Sequence, residues 1–172
     1  RIYKYPESEA DSLRQVLSEK YNIDKNRIIC GSGSDQIFDL TCHMFLKPGD
    51  EVIVTEFGFI MHRIYSSLHG AKVVFAKEKD FRASVEEILK KVTDKTKIVF
   101  IANPNNPTGT YLSKNEMLDL RKRLKSNILL VVDDAYVEFM NSKDFSSGLD
   151  MFKDSKNVLI TRTFSKIYGL AG

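Results

Sequence analysis

KIVFIA at 97–102 and ILLVV at 128–132 are nearly continuous apolar runs, rich in β-branched residues and without the polar alternation of a half-exposed strand. Strands buried on both faces read this way, which in a sheet implies parallel strands covered by helices. The segment between the runs fits the connecting helix. Ser113 stands as its N-cap with Glu116 three residues on, and Met117, Leu120 and Leu124 form an apolar stripe over 113–125. Such a strand–helix–strand unit predicts an α/β fold, three-layered α/β/α around a mainly parallel central sheet. Parallel strands put their carboxyl ends on one edge, where open α/β sheets bind ligands.

Outward from this unit, the pattern predicts a helix over 7–20, a short strand at 27–30 and a helix over 35–46. A strand at 51–55 follows the Pro48-Gly49-Asp50 turn, then a helix around 59–68, a strand at 72–76, a helix over 84–92 and, after the central unit, a strand at 157–161. No internal repeat or low-complexity linker interrupts the order. A chain of 172 residues can bury one sizeable core. The expected organisation is an amino-terminal segment and helix, 1–20, followed by a main domain over 21–172.

Charge narrows the function classes. The 26 basic and 23 acidic residues leave +3, with no basic block and no interleaving of aromatic and basic residues, so no nucleic-acid partner is expected. No apolar run approaches the roughly 18 residues needed to span a bilayer, and no charged–apolar–small leader opens the chain, so no membrane partner is expected. Cys30 and Cys42 form no CxxC, and the one sequon-like triplet, Asn106-Pro107-Thr108, carries the forbidden proline. Reduced thiols in a cytoplasm are the simplest reading. His43, His62 and His69 lack metal-ligand spacing, and no metal is expected.

Three polar segments begin where apolar runs end: NPNNPTG at 103–109, VVDDAY at 131–136, and RTFSK at 162–166 after NVLIT. On a parallel sheet they converge. Lys166, among hydroxyl side chains beyond a buried strand, suits an amine that bonds covalently to a carbonyl, although a lone lysine is ordinarily a solvated charge. GSGSDQ at 31–36 bends at Gly31 and Gly33 and opens a helix, whose free N–H groups at Ser34 and Asp35 suit a phosphate; the same residues could simply cap the helix. NPNNPTG can aim one side-chain amide inward or be a plain turn. Asp133, at a strand end, can serve chemistry or a structural salt bridge.

Taken in order, GSGSDQ, NPNNPTG, VVDDAY and RTFSKIYGLAG resemble the pyridoxal-phosphate-dependent aminotransferases of fold type I, and among them the histidinol-phosphate aminotransferases most closely. The resemblance runs from Tyr5 to Gly172. It implies that Lys166 bonds to the cofactor aldehyde and later moves a proton between the substrate α-carbon and C4′. Asp133 is then the carboxylate that keeps the pyridine nitrogen protonated. Asn106 and Tyr136 contact the phenolic oxygen. Thr163, Ser165 and the amides of Ser34 and Asp35 hold the phosphate, and Phe59, rather than Phe57, stacks on the ring. Asp134 stands where relatives usually carry glutamate and is given no chemistry. Tyr5, in KYPE, matches a tyrosine that reaches a neighbouring subunit's substrate phosphate, implying a homodimer.

The same resemblance implies transamination between an L-amino acid and a 2-oxo acid, with histidinol phosphate and 2-oxoglutarate as the pair. An aromatic aminotransferase or a phosphothreonine decarboxylase shares the motifs, and a non-catalytic cofactor-binding remnant would keep the fold. Arg1 opens without methionine and the family continues past Gly172, where an arginine for the cofactor phosphate and a smaller domain are expected. The chain therefore reads as a large-domain fragment.

Overall fold

The computed structural model describes residue 5 and residues 7–171. Five strands, β1 (Glu51–Thr55), β2 (Lys72–Ala76), β3 (Thr96–Ala102), β4 (Leu129–Asp133) and β5 (Val158–Thr161), form one sheet in the order β2-β1-β3-β4-β5. Every pairing is parallel. All of β1 and nearly all of β3 and β4 are buried, as continuous apolar runs require, whereas the edge strand β2 is largely exposed or half-buried.

The helices are α1 (Asp11–Tyr21), α2 (Gly33–Phe45), α3 (Ile60–Leu68), α4 (Val85–Lys90), α5 (Lys114–Arg123) and α6 (Gly148–Phe152). Strand alternation divides the apolar side chains between two layers. Val52, Val54, Ile98, Phe100 and Val131 pack under Phe38 and Cys42 of α2, with Tyr65 of α3 against them. Their neighbours Ile53, Val99, Ile101, Leu130 and Val132 pack under α4, α5 and α6 through Ile88, Met117, Leu120 and Phe152. Helix α1 stands apart from both clusters and buries none of its residues.

Helix α5 starts where the sequence places it. Ser113 Oγ accepts from the Glu116 backbone N–H, and Glu116 Oε2 accepts from the Ser113 N–H at 2.8 Å, closing a capping box. Arg82 grips the same carboxylate through both Nη atoms, at 2.9 and 2.5 Å, and fastens α5 to the segment before α4. At the other end Arg121 donates to the carbonyls of Leu124, Lys125 and Ile128, which leads the chain into β4.

Two expectations need correction. Residues 27–30 form no strand: Lys25–Arg27 is a 3-10 turn capped by Asp24, and Ile28 is extended without a sheet partner among the described residues. Two isoleucines supplied the apolar signal, yet Ile29 is 61% exposed, and an extended segment is a strand only when a neighbour completes its ladder. The first helix begins at Asp11 rather than at residue 7. Ala10 adopts a left-handed conformation (φ 50°), and Glu7 lies outside the helix, its carboxylate accepting the Ser12 N–H at 2.9 Å and the Ser12 hydroxyl at 2.8 Å.

The Arg82 fork, assisted by the capping box, holds the Glu116 carboxyl down to about 2 from the ordinary 4.5. A depressed carboxyl adds stability that is present above about pH 4.5 and is lost as pH falls through about 2. Glu116→Ala is expected to cost on the order of 1 kcal/mol at pH 7, the usual scale for a lost cap, and the deficit should shrink towards pH 2. Urea unfolding of both proteins at pH 7 and pH 3 checks this; a deficit unchanged with pH would assign it to packing.

Candidate active site

One register row sets the centre of the site. Ala102, Asp133 and Thr161 lie side by side at the carboxyl ends of β3, β4 and β5. Asp133 is 4% exposed, and its Oδ1 accepts from the Ala135 N–H at 3.2 Å and from Thr161 Oγ1 at 3.1 Å. Its other oxygen faces His62 Nε2 at 3.6 Å. The His62 ring stacks on Phe100 (4.7 Å between centroids, 14° between planes) and meets Phe38 and Phe59 edge-on. That packing leaves Nε2 with no hydrogen-bond partner among the described residues.

The loop after β3 separates its asparagines by task. Asn103 is buried and closes on Leu112, accepting its N–H at 2.7 Å and donating to its carbonyl at 3.1 Å. Asn105 donates to the Phe57 carbonyl and to Thr108. Asn106 is left to face inward, where its Nδ2 donates to the Tyr136 hydroxyl at 3.4 Å. Gly109, at φ 71°, makes the turn that returns the loop. Lys166 Nζ lies 5.5 Å from the Tyr136 ring centroid. Thr163 Oγ1 donates to Ser165 Oγ at 2.9 Å while accepting the Ser165 N–H.

Ser34 and Asp35 belong to the first turn of α2, and the cap residue is Ser32, whose side chain makes no capping bond; Gln36 accepts the Ser32 N–H instead. The first-turn N–H groups have no acceptor within the helix. Every expected site residue except Tyr5 lines one cavity of about 760 Å³: Ser34, Asp35, Phe59, Asn106, Asp133, Tyr136, Thr163, Ser165 and Lys166. Phe57 lies outside it and packs on Phe81. Tyr5 is fully exposed and is not brought to this cavity.

The family described as Aminotransferase class I and II matches residues 1–172. The chain belongs to the class I and II aminotransferases. This aminotransferase chain is 61% identical over 170 residues, 99% of its length, to the histidinol-phosphate aminotransferase of Pelagibacter ubique (strain HTCC1062), covering 47% of that protein. It is 46% identical over 167 residues, 97% of its length, to that of Rhodopseudomonas palustris (strain BisB18), covering 46%. Among solved structures, the histidinol-phosphate aminotransferase of Sinorhizobium meliloti in complex with pyridoxal-5'-phosphate superposes with a TM-score of 0.91 at 29% identity, over 99% of this chain and 46% of that one. The chain thus spans about half the length of the relatives it matches.

Sequence reasoning missed two partners of Asp133 in this aminotransferase. His62 carries no metal-ligand spacing and no motif of its own, although it sits one helical turn from Phe59. Thr161 could have been found by aligning the ends of the last two apolar runs.

Asp134 points to the opposite side of the sheet, where Oδ2 accepts the Gly148 N–H at 2.8 Å and Oδ1 has no hydrogen-bond partner among the described residues. Burial pushes its carboxyl up to about 8 from 3.8. The fold therefore retains a proton that the unfolded chain has released, and stability from this group is present below about pH 3.8 and lost as pH rises towards 8. The loss can reach about 1.4 kcal/mol per pH unit. Asp134→Asn should flatten the fall of the unfolding midpoint between pH 5 and pH 8; an equal fall in both proteins would show that Asp134 is ionised in the fold.

Proposed function

We propose that the full-length protein is a pyridoxal-phosphate-dependent aminotransferase that moves an amino group between histidinol phosphate and 2-oxoglutarate in histidine biosynthesis. One observation carries the chemistry: an amine, a buried carboxylate and an amide–phenol pair, from three different strand-end loops, line a single cavity. The 61% identity to a protein named histidinol-phosphate aminotransferase supports the choice of donor. We further place the protein in the cytoplasm as a homodimer. We take residues 21–172 as its cofactor-binding large domain and residues 1–20 as an amino-terminal segment and helix; among the described residues no helix is long and apolar enough to cross a membrane.

The donor set fits the cofactor. Asp133 has both donors on Oδ1, which leaves Oδ2 able to face a protonated ring nitrogen. Thr163, Ser165 and the first-turn N–H groups of α2 suit a phosphate. When bound, pyridoxal phosphate supplies an electrophilic aldehyde and an electron-withdrawing ring. Lys166 would hold the cofactor through its amine and, when free of it, would move the proton at the substrate α-carbon. Asn106 and Tyr136 would hydrogen-bond the cofactor's phenolic oxygen, and Phe59 would stack on the ring. Asp133 would pair with the ring nitrogen and keep it protonated, with His62 against the same carboxylate.

Borohydride reduction of the loaded full-length protein should fix pyridoxyl on Lys166, and kcat/KM should be highest with histidinol phosphate. A label on another lysine removes the mechanism; faster turnover of phenylalanine, or carbon dioxide release from phosphothreonine, replaces the substrate. Asp133→Asn should keep the fold and lose about 3–5 kcal/mol of transition-state stabilisation, roughly two orders of magnitude or more in rate. Transamination at the wild-type rate would make Asp133 structural.

Tyr5 tests the shared site. A phenol donating to a charged phosphate contributes on the order of 1.5–3 kcal/mol, so Tyr5→Phe should raise KM for a phosphorylated donor about tenfold or more and leave phenylalanine nearly unaffected. Mixing Tyr5→Phe with Lys166→Ala subunits should regenerate one site with neither lesion. A confirmed heterodimer without that activity would return Tyr5 to its own subunit.

A further inference from the structure

The loop that carries Lys166 has little to hold it. Phe164, Ile167, Tyr168 and Leu170 are between 42% and 67% exposed, so no apolar core forms beneath it. The backbone bonds donated by its Gly169 and Leu170 amides stay inside the loop, Gly169 N–H to the Lys166 carbonyl and Leu170 N–H to the Phe164 carbonyl. Its hold on the rest of the fold comes from side chains, and two of them meet on one carboxylate. Arg162, four residues before Lys166, donates to Glu138 Oε1, and the Tyr168 hydroxyl, two residues after it, donates to the same oxygen at 3.2 Å.

Glu138 lies in the 3-10 turn Val137–Phe139, directly after Tyr136. Both members of the ion pair are largely sheltered, with side-chain exposures of 26% for Arg162 and 17% for Glu138. The Arg162 guanidinium also sits over the Tyr21 ring, 5.3 Å from its centroid, so the clasp extends to the last residue of α1. The Asp134 carboxyl also faces Arg162.

We infer that Glu138 is a positioning residue: its carboxylate draws both flanks of the 162–168 loop onto the Tyr136 segment and thereby sets where the Lys166 amine stands. The link to chemistry rests on the functional reading of Lys166; the clasp itself does not. A displacement of about 1 Å in a catalytic group can cost on the order of a hundredfold in rate.

Hydrogen exchange of the full-length protein without cofactor tests the clasp independently of any activity. In Glu138→Ala the hydrogen-bonded amides of Ser165, Gly169 and Leu170 should exchange at least tenfold faster while the amides of β3 and β4 keep their wild-type rates. Tyr168→Phe, which removes one arm and serves should Glu138→Ala fail to fold, should accelerate the same three amides by a smaller factor. Unchanged exchange, or equal acceleration in β3 and β4, overturns the clasp. In the loaded protein kcat should fall about tenfold with KM for the donor within threefold of wild type; a raised KM at unchanged kcat would instead make Glu138 a donor-binding residue and overturn its positioning role. A wild-type protein that takes up no cofactor would sink the functional reading and leave the exchange result standing.

Discussion

Parallel strand direction is the constraint from which the site follows. A parallel pair cannot be closed by a tight turn, so each strand is followed by a crossover, and a helix on that crossover covers one face of the sheet. The order β2-β1-β3-β4-β5 puts α3 on one face and α4, α5 and α6 on the other, so the winding reverses between β1 and β3. At such a reversal successive loops leave in opposite directions and open a crevice at the carboxyl edge. Segments up to 60 residues apart, after β3, β4 and β5, thereby become neighbours, and the α2 terminus and Phe59 close the same space.

Most of the fold was legible because its signals were local and repeated. Apolar runs without alternation marked β3 and β4, the Pro48-Gly49-Asp50 turn marked the start of β1, and the Ser113–Glu116 box marked a helix start that the structure reproduces. The failures have a common origin in pairing and conformation that sequence does not display. Ile28 is extended, but whether an extended segment becomes a strand depends on a ladder partner elsewhere. The left-handed Ala10 sets the start of α1, and alanine gives no warning of it.

Site residues divided the same way. Asn106, Tyr136 and Lys166 stood in punctuated segments whose glycines, prolines and strand ends announce a loop, and the sheet brings them together. His62 lies inside a helix among aromatic rings, where its pattern is that of a core residue. Nothing in the sequence pairs Glu138 with Arg162. Their relation arises only because two loops share the carboxyl edge, and no spacing along the chain encodes it.

The adjacent carboxylates show how the sheet gives neighbouring residues different surroundings. Alternation turns Asp133 and Asp134 to opposite faces, and both are nearly inaccessible. Asp134 receives the Gly148 N–H in a buried setting, and its carboxyl is driven towards the neutral form. Asp133 receives two donors, both on Oδ1, and turns Oδ2 to His62. A carboxylate oxygen that already accepts two hydrogen bonds has little capacity for a third, so a further partner must take the other oxygen. The two bonds on Oδ1 fix the Asp133 carboxylate at a rigid strand end. Asp133 thereby lines the cavity that the Lys166 loop also enters with Oδ2 free of hydrogen bonds among the described residues, the arrangement that the proposed pairing with a positively charged ring needs.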